Sequence, residues 1–399
     1  MSAIFIIGTC DTKSSELIFL RTVLEKEGIE AKIVDVSTKR HPISADISNL
    51  SLAVHHPMGE ALLDLPDRGE AITAMGEALQ SFLLNTSGLS GVIGIGGSGG
   101  TALITHAFKA LPVGLPKIMV STMASGNTRP FVEATDIMMV YSVTDLAGLN
   151  SISRTILANA AQALAGMLNG KPQVIADVKP ALGMTMFGVT TPCVQHIRSH
   201  FEDQFDCVIF HATGIGGQSF EKLISSGMMR YVIDVTLTEI CDHLMGGVLS
   251  AGESRLDAII HTKIPYIGSV GALDMVNFGP LDSVPEQYSH RNLYKHNAAV
   301  TLMRTTPEEN VLMGEWIAAK LNRMEGPVRF LLPEKGVSLI DSPGKPFYDP
   351  EANQALFETL EKHVIQTENR QIIRLPYEIN DPAFAEALIE SFNQLHPTI

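Results

Sequence analysis

The sequence predicts an α/β protein of two domains, each with an open, mostly parallel sheet. Short apolar runs such as AIFIIG, GVIGI and KIMVS alternate with stretches of helical apolar spacing along the whole chain. That alternation is what parallel strands joined by crossover helices require. At 399 residues the chain exceeds what one core usually holds. An apolar share of 45% against 18% charged residues fits well-buried sheets.

The first domain opens with AIFIIG, a strand closed by Gly8, followed by the helical spacing of SSELIFLRTVLEKEG up to Gly28 and by the strand AKIVDV. Residues 37–67 have weak periodicity and three prolines, and read as a long functional arm or insertion. Ile72, Met75, Leu79, Phe82 and Leu83 mark one face of a helix. Then come GVIGI as a strand, residues 101–110 as a helix, KIMVS and DIMMVYSV as strands, and an Ala-rich helix over 153–168. The segment 169–183, with two prolines, two glycines and no helical face, places the domain boundary near residue 178. This gives domains over 1–178 and 179–399.

In the second domain the expected strands are MTMFGVT, CVIFHA, RYVIDVT, IPYIGS, VRFLL and QIIRL. Three helix starts carry strong signals: Thr306-Pro307 with Glu309 as a capping box, Asp349-Pro350 and Asp381-Pro382. The two halves also share a short echo, with Gly94-Ile95-Gly96-Gly97 matched by Gly214-Ile215-Gly216-Gly217. Duplication of one α/β unit and chance agreement are both open explanations.

Composition excludes several function classes. The net charge of −14 repels phosphate backbones, and no basic patch offsets it, so no nucleic acid is expected. The cysteines at 10, 193, 207 and 241 form neither C-x-x-C nor a paired framework, which fits a reducing compartment. AIFIIG follows Met1 without a basic flank or cleavage site, unlike a signal peptide. No apolar run approaches the roughly 20 residues of a membrane helix. The expectation is a soluble cytoplasmic protein with no membrane partner.

GVIGIGGSGGT, residues 91–101, holds six glycines in eleven residues directly after an apolar run. Such a turn between strand and helix lets backbone N–H groups converge on an anion at the helix N-terminus. Gly96, Gly97, Gly99 and Gly100 would form the cradle, with Ser98 and Thr101 adding hydroxyls. The structural alternative is a turn needing positive φ. G-x-G-x-x-G is present at Gly94, Gly96 and Gly99, but the next strand ends in Ser121 and Thr122, with no carboxylate for a dinucleotide ribose. A P-loop reading lacks its lysine, since Gly100 stands there. A nucleotide held mainly by backbone remains. Its cation would come from Lys13 in GTCDTKSSE, or from Lys39 or Arg40, and Asp11 would hold Mg²⁺ through water. Ser125, Gly126 and Asn127, in a further polar loop, are candidate ribose or phosphate contacts.

In the second half, Thr213, Gly214, Gly216 and Gly217 could form another anion nest, with His211 nearby as a general base or a packed side chain. Cys193, in a first helical turn, is a candidate nucleophile or a buried filler. Glu239, Asp242 and His243 share one helix face, suited to a metal or to capping and salt bridges. Asp274, Asn277, Arg291, Tyr294, His296, Asn297 and Arg304 concentrate polar chemistry in a stretch with short helical prospects. Two arginines and a histidine suit a carboxylate or phosphate substrate. An interface network is the structural alternative.

GTCDTKSSEL, GIGGSGGT, TGIGGQSFE, GALDMVNFG, YKHN, TLMRTT and INDPAFA together resemble an uncharacterised bacterial and fungal family. That family shares its domain pair with the N-terminal, inhibitory half of the tomato mosaic virus resistance protein. The resemblance runs from Gly8 to Ala385. It implies two Rossmann-like domains, an ATP site associated with the first, and a homodimer. By motif it assigns ATP to the loop from Gly8 to Lys13, with Gly8, Asp11, Thr12 and Lys13 as the named contacts, to the segment Gly94 to Thr101, and to Ser125, Gly126 and Asn127. It supplies no catalytic residue. No barrel domain like the plant protein's follows in this sequence, so activity resident in that barrel is not expected here.

The functional expectation is an ATP-binding enzyme, with Mg²⁺, acting on a small anionic metabolite in an interdomain cleft by phosphoryl or adenylyl transfer. Candidate catalytic groups are His296, His211 and Asp274. Candidate substrate contacts are Thr213, Gly216, Gly217, Asn277, Arg291, Tyr294, Asn297 and Arg304. The alternative is a non-catalytic module that binds another protein when ATP is present.

Overall fold

The computed structural model describes residues 3–170 and 179–396. The chain divides into two compact units, Met1–Val174 and Ile175–Ile399. The boundary expected near residue 178 lies outside the described residues.

The N-terminal unit runs β1 (Ala3–Gly8), α1 (Cys10–Lys26), β2 (Lys32–Asp35), α2 (Asn49–Ala53), α3 (Arg68–Leu84), β3 (Leu89–Gly96), α4 (Ser98–Ala110), β4 (Lys117–Ser121), α5 (Arg129–Val132), β5 (Met138–Tyr141) and α6 (Ser151–Asn169). Its strands lie in the order β2-β1-β3-β4-β5, all parallel. Period-two alternation sends Phe5 and Ile7 to one face and Ile4 and Ile6 to the other. The first face packs on Met75 and Leu79 of α3 and Ile104 and Phe108 of α4. The second packs on Leu17, Leu20 and Leu24 of α1 and Leu157 and Leu164 of α6. α1 ends at Gly28, whose φ of +78° only glycine takes at no cost. Asn150 and Ser153 close a capping box that starts α6.

The arm between β2 and α3 is folded rather than irregular. It contains α2 and a 3₁₀ turn over Gly59–Asp64, and bridges the sheet edge at Val34 and Ile47. Asn49 holds its base, donating from Nδ2 to the carbonyls of Ser37 and Lys39.

The C-terminal unit runs β6 (Ala181–Met186), α7 (Thr191–Phe201), β7 (Asp206–His211), α8 (Ile215–Ser225), β8 (Tyr231–Thr236), α9 (Thr238–Met245), α10 (Asp257–Thr262), β9 (Tyr266–Gly271), β10 (Met275–Phe278), β11 (Leu293–Lys295), β12 (Thr301–Arg304), α11 (Pro307–Arg323), β13 (Val328–Pro333), α12 (Pro350–His363), β14 (Arg370–Leu375) and α13 (Pro382–Leu395). Six parallel strands lie in the order β14-β13-β9-β8-β6-β7. The capping box of Thr306 and Glu309 and the side-chain caps of Asp349 and Asp381 start α11, α12 and α13. Both units are Rossmann-like α/β folds.

One expectation is corrected. The stretch 274–304 forms a three-stranded antiparallel sheet, β10-β12-β11, with two 3₁₀ turns in place of the short helices. Cross-strand pairing of Met275–Phe278 with Thr301–Arg304, far apart in sequence, overrides local propensity. The glycine echo is not topologically equivalent. Gly94–Gly97 close β3, in the middle of their sheet, whereas Gly214–Gly217 follow β7 at the edge of theirs. No helix among the described residues is long and apolar enough to cross a membrane.

Candidate functional site

In a sheet of order β2-β1-β3-β4-β5 the connections diverge between β1 and β3. Ligands of open α/β sheets lie outside the carboxyl ends of strands at such a point. A cavity of about 530 Å³ sits there. Thr9 to Lys13 line it from the start of α1, except Cys10, Thr38 and Lys39 from beyond β2, and Pro66 and Arg68 from the start of α3. Gly97 to Gly100 complete it from the start of α4, with Ile72 and Leu103 as an apolar wall. A larger cavity of about 1000 Å³, near Ala3, Gly28, Ser90 and Pro116, lies at the amino ends of the same strands, where Lys32 is its one cation among the described residues.

The glycines of β3 and α4 have two different reasons. A side chain at Gly94 would meet Ile104 at 2.6 Å, and one at Gly96 would meet the backbone of Gly100 and Thr101 at 2.8 Å. Packing demands those two. At Gly97 and Gly100 the nearest atoms to an added Cβ are 3.9 and 3.8 Å away, and no glycine from 94 to 100 has positive φ. The fold therefore does not need glycine at 97 or 100, and both face the cavity. Their bareness leaves the first turn of α4 open. The amides of Ser98, Gly99 and Gly100 find no acceptor among the described residues, and no side chain caps the helix. They present donors with about half a unit of positive charge.

Thr101 is a correction. It is buried, its hydroxyl 2.6 Å from Ser121 Oγ, and its amide closes on the Gly97 carbonyl. It fixes the turn and offers nothing to a ligand.

The β1–α1 loop contributes side chains rather than amides. Gly8 is required by Leu17, 2.9 Å from an added Cβ. The Cys10 amide donates to Asp35 Oδ1 at 2.9 Å and the Asp11 amide to Ser37 Oγ at 3.3 Å. Asp35 is fully buried, and its second oxygen lies 2.8 Å from His41 Nε2. Thr12 shares a 2.7 Å hydroxyl contact with Thr9. At Lys13 the helix departs from helical geometry (φ −133°, ψ 22°), and Nζ donates to the Leu146 carbonyl.

Lys13, Lys39 and Arg68 all line the cavity, and none forms an ion pair among the described residues. Lys39 donates to the Leu65 carbonyl, and Arg68 makes no side-chain hydrogen bond among the described residues. Arg40, the other cation expected there, is spent on Glu60 and Asp64. Ser125, Gly126 and Asn127 follow β4 at the same sheet edge but do not line the cavity, and Asn127 Oδ1 accepts from the Arg129 amide.

Thr9 falls within the expected loop from Gly8 to Lys13, whereas Arg68 and Thr38 were not legible as site residues. One signal existed: Asp67-Arg68 puts a cation at the first position of a capped helix, against the dipole.

The second glycine nest holds the protein's own carboxylate. Glu239 Oε1 accepts from the amides of Gly214 at 2.7 Å and Gly217 at 2.9 Å. A side chain at Gly217 would reach Glu239 Oε2 at 2.0 Å, and one at Gly216 would collide with the His211 carbonyl. Thr213 donates to that same carbonyl, and the His211 ring lies edge-on to Phe187. The Gly214 and Gly217 amides expected to meet an anion are thus taken by Glu239, close packing demands glycine at 216 and 217, and the Thr213 hydroxyl turns back onto its own strand.

The arginines and the buried members of the 274–304 cluster are likewise spent internally. Arg291 forks onto Glu309 at 2.7 and 2.8 Å and caps the Arg304 carbonyl. Arg304, 4% exposed, donates to the Phe347, Thr305 and Asp349 carbonyls and to Asn353 and Asp341. Asn277 is bound to Asp242 and Thr238. Asp274 is fully buried, accepts from Ser338 at 2.7 Å, and has no access for a substrate proton. Tyr294, His296 and Asn297 lie on an exposed hairpin, where the His296 amide only closes the turn onto Val300. The structure does not bring His296, His211 and Asp274 together as a catalytic group: one is on a hairpin, one at a sheet edge, one in the core.

Cys193 is buried, with its thiol pushed up to about 12 by desolvation, so it is filler and not a nucleophile. No group of three metal-binding side chains occurs among the described residues, which leaves Glu239 and Asp242 as hydrogen-bond anchors.

Burial raises the Asp242 carboxyl to about 7, and burial with Asp341 as neighbour raises Asp274. In the unfolded chain both ionise near 4. Between about pH 4 and pH 7 the folded state therefore holds more protons, and these groups lose stability as pH rises across that window, by at most about 1.4 kcal/mol per pH unit each. Asp274→Asn is expected to flatten that slope. Urea melts of native and variant chains at pH 5 and pH 7.5 check it, and an unchanged slope removes Asp274 as a source.

Residues 2–173 match the N-terminal domain, and residues 179–396 the C-terminal domain, of Uncharacterised protein family (UPF0261). A UPF0261 protein of Rhizobium meliloti is 52% identical over 396 residues, covering 99% of each chain. The ToMV resistance protein Tm-1 of Solanum lycopersicum is 42% identical over 420 residues, which take in 99% of this chain and 56% of the tomato protein. A solved UDP-GlcNAc 2-epimerase of Methanocaldococcus jannaschii aligns with 98% of this chain at 12% identity and a TM-score of 0.23, too low to carry any argument. Matched through both domains and nearly end to end, the chain belongs to the UPF0261 family.

Proposed function

We propose that the N-terminal unit binds ATP, with Mg²⁺, in the cavity between the carboxyl ends of β1 and β3. One observation carries this reading: in a chain of net charge −14, three cations without ion pairs line one cavity with the open amides of α4. Unpaired charge beside unpaired donors favours an anion of several charges. Lys13, Lys39 and Arg68 would hold phosphates, and Pro66, Ile72 and Leu103 offer a surface for the base. Asp11, the one carboxylate lining the cavity among the described residues, suits Mg²⁺, which keeps most of its waters and takes its remaining ligands from phosphate oxygens. A cytosolic setting, which the unpaired cysteine pattern favours, and a homodimer, which the family resemblance implies, belong to the same reading.

Of the residues expected to bind a small anionic metabolite, Asn277, Arg291 and Arg304 are occupied inside the C-terminal unit and Tyr294 and Asn297 stand apart on a hairpin, so phosphoryl or adenylyl transfer would need a substrate held elsewhere. A second reading, a module that binds another protein when ATP is present, is favoured by exposed apolar side chains at the β5 edge of the same sheet. Met123, Met138, Tyr141 and Val143 are all exposed around β5 and the loop after β4.

Thermal unfolding tests the nucleotide. ATP with Mg²⁺ at a hundred times its Kd is expected to add about 2.7 kcal/mol, with NAD giving no comparable shift. Absence of any ATP-dependent shift at millimolar concentration sinks the reading.

A further inference from the structure

We infer that this cavity reads the phosphate chain and not the base: purine and pyrimidine nucleoside triphosphates and inorganic tripolyphosphate all enter it, and Arg68 sets the affinity for the chain. The inference rests on the nucleotide reading and adds the ligand class.

Telling adenine from guanine takes donors and acceptors fixed against the base edge, because apolar contact separates similar rings only weakly. Among the described residues the cavity wall carries no Asn, Gln, His or aromatic side chain. Its threonine hydroxyls at 9, 12 and 38 rotate to donate or accept, so they favour neither pattern. The main chain nearby is largely occupied. The Ser37 and Lys39 carbonyls accept from Asn49, the Leu65 carbonyl accepts from Lys39, and Pro66 has no N–H. What remains for a base is the apolar surface of Pro66, Ile72 and Leu103.

The phosphate side is built in the opposite way. Three cations of different reach meet the open turn of α4. Arg68 lies closest to that turn, with Nη2 3.8 Å from where a Cβ at Gly99 would stand. A phosphate on the amides of Ser98 to Gly100 is therefore within reach of a planar fork that grips two of its oxygens. The Arg68 side chain has no hydrogen bond or ion pair among the described residues, so engaging it breaks no internal contact. Each added phosphate brings charge toward cations that form no ion pair among the described residues.

Calorimetry on the full chain at fixed salt, with Mg²⁺ present, tests this. ATP, GTP and CTP are expected within about threefold of one another, tripolyphosphate within about tenfold of ATP, and AMP at least about 100-fold weaker. Arg68→Met is expected to weaken all four triphosphate ligands alike, by about tenfold, with an unchanged melting temperature. ATP binding with GTP, CTP and tripolyphosphate more than about 100-fold weaker overturns base indifference and leaves the nucleotide site standing. Unchanged affinity in Arg68→Met overturns the role of Arg68. Failure of every phosphate compound to bind removes the site itself.

Discussion

Gly100→Asp is expected to abolish ATP binding while leaving the fold at least as stable as the native chain. An added Cβ at this position has no neighbour closer than 3.8 Å, and the residue has ordinary helical φ. Glycine inside a helix costs roughly 0.5–1 kcal/mol relative to alanine, and a carboxylate in a first turn gains about as much from the dipole. The same carboxylate would take the α4 amides and face any phosphate brought to them. A loss of at least about 100-fold, near 2.8 kcal/mol, follows from one lost set of charge-assisted bonds plus repulsion. Gly100→Ala separates the terms, since it keeps the amides and adds only bulk. Calorimetry with ATP and a thermal melt on each variant decide the matter. A Gly100→Asp chain that binds ATP normally would show that the phosphates lie elsewhere. Gly96→Asp is no substitute for this experiment, because the backbone of Gly100 and Thr101 leaves no room there.

Arg255→Met is expected to cost about 3–5 kcal/mol of stability near pH 8, the largest effect of any single polar substitution considered. Arg255 is 1% exposed and serves three carboxylates: Asp234 at 2.7 Å, Glu221 at 3.0 Å and Glu239 at 3.2 Å. Those acids in turn organise the unit. Glu221 takes the amides of Leu256 and Ala258, Glu239 fills the glycine nest, and Asp234 takes the hydroxyl of Tyr266. Removing the cation leaves two buried carboxylates, Asp234 and Glu239, and the partly buried Glu221 uncompensated. Burial already raises the Glu221 and Glu239 carboxyls, and the lost guanidinium, which lowers them, would let them rise further. The variant's folded state then binds still more protons than its unfolded chain, so its deficit shrinks as pH falls toward 5. Denaturant melts at pH 5 and pH 8 measure this. Equal stability of the two proteins at pH 8 contradicts the assignment, as does a deficit that grows on acidification.

The strands and the principal helices were legible because their signals are local. AIFIIG is apolar on both faces, as a strand covered on two sides must be. Thr306-Pro307 with Glu309 declares a helix start within four residues. The glycine-rich turn after β3 was legible for the same reason, although its composition did not show which glycines the backbone needs. The antiparallel sheet was not legible, since β10 pairs with a strand more than twenty residues away. Arg291 and Arg304 read as substrate ligands because arginine beside histidine in sequence says nothing about which carboxylates lie opposite in space.

The amino-acid order alone determined the alternation of strands and helices, their caps, and the one bend where backbone donors crowd together. These depend on periods of two and 3.6 residues and on contacts within a turn. Tertiary structure alone decided which anion-seeking groups stay open. Glu239 reaches back more than twenty residues to close the nest after β7, Asp35 closes the start of α1, and nothing in the described chain closes the start of α4. A charged group is neutralised by whatever the topology sets beside it, and spacing along the chain carries no record of that.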